Sequence, residues 1–228
     1  MSAHMAAVNL TQIKAESDRS LERRWTLPTA PPVKDFLSRD REFVPADLRV
    51  WCQRTDGGGE AIRARAWPAD RADRASAEWN ESGYPHRMPD WVRELAEGVR
   101  ADLAANRPGA DPQAADRWTH GRYSHWMVRG AERVRDLRDP NLTFVPGLLD
   151  VSCWVTAGAP DWENRFRVDL TPADRLTPGR QLWTGDEAEI TQDRVPSRDM
   201  PEWITAILTD QYAKLGSEAR EAAAKRAA

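Results

Sequence analysis

The feature that most constrains the fold is an internal self-similarity. Five short blocks occur in the same order in both halves of the chain, and the first of them is identical at six of ten positions. The blocks are Phe43–Cys52 and Phe144–Cys153, Arg63–Arg65 and Arg165–Arg167, Pro68–Arg71 and Pro172–Arg175, Trp79 and Trp183, and Met88–Trp91 and Met200–Trp203. Collinear matches of this kind over about 60 residues are improbable by chance, so they predict two copies of one folding unit.

Each copy is predicted to open with a β-hairpin. Leu48–Cys52 alternates and is rich in strand formers, Thr55–Gly59 is a turn signal, and Ala61–Trp67 is the expected return strand. In the second copy, Leu149–Val155 and Arg165–Leu170 have the same character.

Each copy is predicted to close with an amphipathic helix. Apolar residues recur every four positions from Trp91 to Leu103, and a similar stripe begins at Trp203. Pro89 and Pro201 precede these stripes at positions where a helix tolerates a missing N–H. Trp91 and Trp203 are therefore expected to be largely buried and to anchor each helix on its hairpin.

Two further helices are predicted outside the repeated blocks, one over Leu10–Trp25 and one over Tyr123–Leu137. The expected fold class is α+β, with two strand–strand–helix units, an intervening helix and an N-terminal helix. The predicted boundaries are 1–32 for the N-terminal helix and its proline-rich connector, 33–107 for the first unit, 108–140 for the linking helix, 141–216 for the second unit and 217–228 for a solvated tail.

Charge and composition exclude several classes of protein. The chain has 33 Lys and Arg against 36 Asp and Glu, which excludes a strongly basic nucleic-acid coat but permits a local basic groove. No apolar run approaches the length of a membrane-spanning helix, so no membrane partner is expected. Two cysteines are too few for a disulfide scaffold, and a cytoplasmic location is expected.

Motifs that would identify an enzyme or a metal site are missing from the sequence. It contains no GxSxG, HExxH or paired CxxC pattern, and the five-residue spacing of His120 and His125 does not place both rings on one helix face. Cys52 and Cys153 occupy matching strand positions; a redox or metal-binding pair is one interpretation, and small buried side chains are the favoured one. No catalytic residue, metal or cofactor is predicted.

Arginine and tryptophan provide the candidate binding residues. Arg63 and Arg65 lie two residues apart on the first return strand, so they project from one sheet face, and Arg165 and Arg167 do so on the second. Trp51, Trp67 and Trp154 lie on the same hairpins, and Trp67 and Trp154 are taken together with the four arginines as the candidate site. Guanidinium groups interleaved with aromatic rings favour binding of acidic groups or of nucleic acid.

We therefore predict a non-catalytic, intracellular binding or regulatory protein that acts on a protein partner through the tryptophan- and arginine-rich surfaces of its two related repeats. One alternative is a nucleic-acid-binding accessory protein, since basic strands with aromatic side chains can stack bases. The other alternative is a small hydrolase or nuclease with a dispersed site of Asp, His and Arg residues.

Overall fold

The computed structural model describes residues 8–38, 40–70, 72–83, 87–111, 113–174, 177–191 and 200–228. Its strands are β1 Asn9–Thr26, β2 Val33–Lys34, β3 Glu42–Phe43, β4 Asp47–Thr55, β5 Glu60–Trp67, β6 Ala77–Asn80, β7 Ala114–Arg129, β8 Val134–Arg135, β9 Thr143–Phe144, β10 Leu148–Thr156, β11 Arg165–Thr171 and β12 Gln181–Asp186. Its helices are α1 Asp90–Ala105, α2 Glu187–Thr191 and α3 Glu202–Ala227. Eight strands form one sheet in the order β12-β11-β10-β7-β1-β4-β5-β6, while β2 pairs with β3 and β8 pairs with β9.

The predicted α+β class with strand–strand–helix units is wrong. Within the described ranges the chain is mostly an antiparallel sheet of eight strands with few helices. The expected N-terminal helix over Leu10–Trp25 lies within the strand β1. The expected linking helix over Tyr123–Leu137 comprises the end of β7 and the strand β8. Of the matched blocks, Arg71 and Arg175 lie outside the described residues.

A buried charge explains why the sequence predicts a helix where the structure has β1. Leu21, Arg23 and Trp25 point to the covered face of the sheet and are buried, while Glu22 and Arg24 lie on the other face. An arginine at an inward position hides the two-residue alternation that identifies a strand. The remaining Glu, Lys, Ala, Leu and Arg residues have high helix propensity, which tertiary packing overrides here.

The chain divides into two compact units. The N-terminal unit comprises residues 18–119 and 221–228, and the C-terminal unit comprises residues up to 17 and 120–220. Their elements follow one another in a similar order: part of a long strand, a two-residue ladder, three further sheet strands and a long helix.

In the N-terminal unit, α1 covers one face of β4 and β5, where the thiol of Cys52 donates to the carbonyl of Ala96 over 3.7 Å. α1 begins after Pro89, has Asp90 in its first turn, and ends where Asn106 takes a left-handed conformation with φ 51°. The core on this face consists of Leu48, Val50, Cys52, Ile62, Ala64, Ala66, Trp79, Val92, Ala96 and Val99. The opposite face of the strands is called the outer face below.

In the C-terminal unit, α3 packs on the strands from β10 to β12. The buried residues are Leu149, Val151, Cys153, Phe166, Val168, Leu170, Trp183, Ile204, Leu208, Tyr212 and Leu215. The predicted tail 217–228 is the last part of α3 up to Ala227, and Ala219 lies in this core. Residues 221–228 belong to the N-terminal unit, and Ala222 is buried there. None of the described helices has both the length and the apolar character that crossing a membrane requires.

The two predicted helix anchors lie at the edge of the core rather than at its centre. Trp91 and Trp203 are half-buried, whereas the next residues, Val92 and Ile204, are fully buried. The helices therefore direct the smaller side chain of each pair into the core, and each tryptophan lies at its margin.

Candidate binding site

The outer face of the N-terminal unit is built by two-residue alternation on β4 and β5. Leu48, Val50 and Cys52 point to α1, so Arg49 and Trp51 point outward. Antiparallel pairing places Arg49 opposite Arg65 and Trp51 opposite Arg63.

Three arginines form a row across this face. Arg24 on β1 is the cross-strand neighbour of Arg49, which is the neighbour of Arg65 on β5. Cross-strand neighbours lie about 5 Å apart at their Cβ atoms, and like charges there destabilise a sheet. The arrangement therefore has an electrostatic cost.

Glutamates compensate this row in part. Glu22 accepts a hydrogen bond from Arg24 Nε over 2.7 Å, and its other carboxylate oxygen lies 3.5 Å from Arg49 Nε. Glu78 lies 2.9 Å from Arg65 Nε. The Nε of Arg49 is buried and makes no hydrogen bond within the described part of the chain.

Burial lowers the pKa of Arg49 below its ordinary value. Glu22 opposes this effect, whereas the positive charges of Arg24, Arg65 and Arg117 add to it. A group whose charged form is disfavoured by its surroundings gains from an added anion.

Each tryptophan of the outer face lies beneath a guanidinium group. Arg63 Cζ is 5.7 Å from the ring centre of Trp51, and Arg65 and Arg49 are 5.1 and 5.7 Å from that of Trp67. Stacking of this kind holds the guanidinium plane in place and leaves its N–H edge free to donate. We call Arg24, Arg49, Trp51, Arg63, Arg65 and Trp67 the arginine–tryptophan face.

An open cleft of about 570 Å³ lies on this face and extends from β1 to β6. Three arginines and two glutamates line it, which leaves one surplus positive charge, and Arg24 lies on the same face. The lining residues are Glu22, Arg49, Trp51, Arg63, Ala64, Arg65, Glu78, Trp79 and Asn80.

The remaining predicted site residues lie on the matching face of the C-terminal unit. Trp154 is opposite Arg165, and its indole N–H donates to Tyr123 Oη over 2.9 Å. Arg165 lies 3.7 Å from Asp186, and Arg167 lies 3.5 Å from Asp169. These two arginines therefore already have carboxylate partners.

Asp169 is the centre of the charge pairing in the C-terminal unit. Arg180 holds both of its carboxylate oxygens, and this contact is the main reason that the pKa of Asp169 is lowered. Arg167 lowers this pKa further. The negative charge on this face is thus neutralised locally.

The structure does not place the two arginine pairs at equivalent positions of their hairpins. Its strand register differs by two residues from the match seen in the sequence. Cys52 lies opposite Ile62, and Cys153 lies opposite Phe166. Counting from these cysteines, Arg63 corresponds to Arg167, and Arg65 corresponds to Asp169. The cause is a longer hairpin connection in the C-terminal unit, which contains a 3-10 turn over Asp161–Glu163.

Three members of the arginine–tryptophan face were not predicted as site residues. Arg49 and Trp51 alternate with buried residues on β4, a pattern that places them beside Arg63 and Arg65 once the hairpin is assumed. Arg24 lies in a segment that the sequence predicts as a helix, so nothing local connects it to this face.

Other candidate chemistry is limited within the described residues. Cys52 and Cys153 are free and buried, and burial raises the pKa of the Cys52 thiol to about 12. His125 Nδ1 pairs with Asp150 on the outer face of the C-terminal unit, and His120 is buried. Among the described residues no group of three or more His, Cys, Asp or Glu side chains is placed to hold a metal ion.

Comparison with protein-family models, with curated proteins and with solved structures finds no match to this chain.

Proposed function

We propose that this chain is a non-catalytic binding protein whose arginine–tryptophan face holds an acidic segment of a protein partner. The observation that carries the proposal is the row formed by Arg24, Arg49 and Arg65, which is only partly compensated by Glu22 and Glu78. Charge arrangements that cost stability are expected at functional sites.

Carboxylates suit this face because of the geometry of guanidinium groups. A carboxylate accepts two parallel N–H donors from an arginine fork, and such charge-assisted bonds are stronger than neutral ones. Arg63 is exposed, contacts Trp51, and has no ion pair among the described residues. Of the four arginines of the arginine–tryptophan face, it is therefore the one most available to a ligand.

A protein partner fits the face better than nucleic acid does. Base stacking uses open aromatic faces, but guanidinium groups already lie over Trp51 and Trp67. Nucleic-acid binding is therefore kept as an outcome of the test, and a hydrolase or nuclease stays an untested alternative.

The proposed setting is the cytoplasm, without a cofactor and without a membrane partner. The two unpaired cysteines support this location, because reducing compartments keep thiols free.

The experiment measures binding of a fluorescent twelve-residue peptide in which glutamate alternates with valine or threonine. Fluorescence anisotropy compares the parent with Arg63→Ala/Arg65→Ala and with the matched control Arg165→Ala/Arg167→Ala. Because the first pair loses charge-assisted bonds, we expect its affinity to fall about tenfold or more. The control should stay within about twofold, since both of its arginines have carboxylate partners, whereas Arg63 has no ion pair among the described residues.

Two further measurements complete the test. A glutamine version of the peptide should not bind, and raising the salt concentration should weaken binding of the glutamate version. Equal loss in both double variants would show that the proposed face is wrong. Binding of a labelled single-stranded oligonucleotide, with no binding of the acidic peptide, would replace the protein partner by nucleic acid.

A further inference from the structure

The strand β6 lies at one edge of the eight-stranded sheet. It pairs with β5 on one side, and no strand pairs with it on the other side within the described residues. Edge strands expose unpaired backbone N–H and C=O groups, and proteins commonly protect them with lysine, proline or a bulge. Ala77–Asn80 is short and carries the charge of Glu78, and it contains neither lysine nor proline.

The start of β6 is fixed by the two-stranded arm formed by β2 and β3. Phe36 N–H donates to Ser76 O over 2.7 Å, and Ser76 N–H donates to Asp35 Oδ1 over 3.3 Å. The side chains of Phe36 and Leu37 are nevertheless 39% and 76% exposed. Apolar groups are thus presented to solvent beside the beginning of the edge.

Clefts border the other end of β6 on both faces of the sheet. Asn80 lines the cleft of the arginine–tryptophan face and also a second cleft of about 370 Å³. The second cleft lies towards α1, where Ile62, Met88 and Ala96 line it together with the charged residues Glu81, Arg87, Arg93 and Glu97. The first cleft is therefore rich in arginine, and the second has both apolar and charged walls.

A strand added to this edge would use both clefts at once. Successive side chains of a strand point to opposite faces of the sheet. Acidic side chains at alternate positions would lie beside Asn80 and Glu78, two strands away from the arginines of β5. The first would reach Arg63, and the second would share Arg65 with Glu78, at the cost of a contact between like charges. The residues between them would face the cleft beside α1.

We propose that the acidic partner segment binds as an additional β-strand on the free edge of β6, with acidic and apolar residues alternating along it. This inference rests on the proposed function and specifies its binding mode. Backbone hydrogen bonds would supply affinity, and the two clefts would supply specificity, as in other cases of strand addition. The surplus positive charge of the outer cleft favours an acidic segment.

The test uses the full chain and peptides that are N-methylated at alternate backbone amides. A strand directs alternate N–H groups to its neighbour, so methylation of only one of the two alternating sets should block pairing. We expect affinity to fall about tenfold or more for that set, with little change for the other set. Amide hydrogen exchange should become slower in Ala77–Asn80 when the unmethylated peptide is bound.

The outcomes separate this inference from the proposed function. If both methylated sets bind like the parent peptide while Arg63→Ala/Arg65→Ala still weakens binding, strand addition is wrong and the acidic partner stands. Unchanged exchange in β6 on peptide binding leads to the same conclusion. If the glutamate peptide does not bind at all, both proposals fail.

Discussion

Replacing Arg23 with methionine removes the cation that joins the buried carboxylate of Asp102 to the partly buried carboxylate of Asp116. The Arg23 side chain is 5% exposed, and its Nη1 donates to Asp102 Oδ2 over 2.9 Å. Its Nε and Nη2 donate to the two oxygens of Asp116 over 2.6 and 3.0 Å. These bonds connect β1 to α1 and β7, and methionine preserves much of the volume.

The size of the expected destabilisation depends on the hydrogen-bond donors that each carboxylate retains in the variant. Asp102 retains Arg107, whose Nε donates to it over 2.7 Å. Among the described residues, Asp116 keeps only the backbone N–H of Gly109 as a hydrogen-bond donor, over 3.0 Å. Removing one partner of a buried ion pair leaves an uncompensated charge, so the Arg23→Met variant should lose about 3–5 kcal/mol in the free energy of unfolding at pH 7.

The loss should shrink at low pH. Burial raises the pKa of Asp116, but the hydrogen bonds from Arg23 and from Gly109 N–H lower it more, and the net pKa lies below the ordinary value. In the parent, the stabilisation from ionised Asp116 is fully present above the unfolded-state pKa of Asp, about 4. It is lost as the pH falls through the folded-state pKa of Asp116. In the variant, burial dominates and the folded-state pKa rises, so protonation relieves the defect.

Urea unfolding at pH 7 and pH 4 measures both effects. Arg24→Met is the matched control, because its side chain is half exposed and its loss should change the free energy of unfolding by about 0.5 kcal/mol or less. A deficit below about 1 kcal/mol for Arg23→Met at pH 7, or an equal deficit at both pH values, would refute the reasoning.

Three further predictions concern buried polar groups. Ser124→Ala removes the acceptor of the Trp126 indole N–H and of the Gln211 amide, so urea unfolding should show a loss of about 1–3 kcal/mol. Tyr212→Phe should leave the free energy of unfolding unchanged or raise it by about 1 kcal/mol, because this buried hydroxyl has no hydrogen-bond partner in the described residues; a clear loss would reveal one. The Cys52 thiol, with its pKa raised to about 12 by burial, should resist iodoacetamide at pH 8 in the native protein and react in urea, as read by peptide mass spectrometry.

Local sequence signals determined the hairpins and the starts of the long helices. β4 and β5 pair around the turn at Thr55–Gly59, where Gly58 takes φ +80° and the N–H of Thr55 donates to Gly59 O over 2.9 Å. The helices α1 and α3 begin directly after Pro89 and Pro201. Alternation, turn residues and helix-start residues act over a few positions, so the sequence alone shows them.

The site could be predicted only in part. Two-residue spacing correctly placed Arg63 and Arg65 together on one strand face, beside Trp67. Comparison of the repeated sequence blocks matched them with Arg165 and Arg167. The strand register differs from that match by two residues. A shift of this kind depends on the length of the hairpin connection, which block matching does not measure.

Only the tertiary structure decided that β1 is a strand and that Arg24 lies beside Arg49. Arg23 is buried because Asp102 and Asp116, far away in the sequence, satisfy its guanidinium. Without those partners a buried arginine is too costly, so the segment alone resembles an exposed amphipathic helix. Pairing of β1 with β4 then places Arg24 in the arginine row, since the neighbour of a strand is set by long-range packing rather than by local propensity.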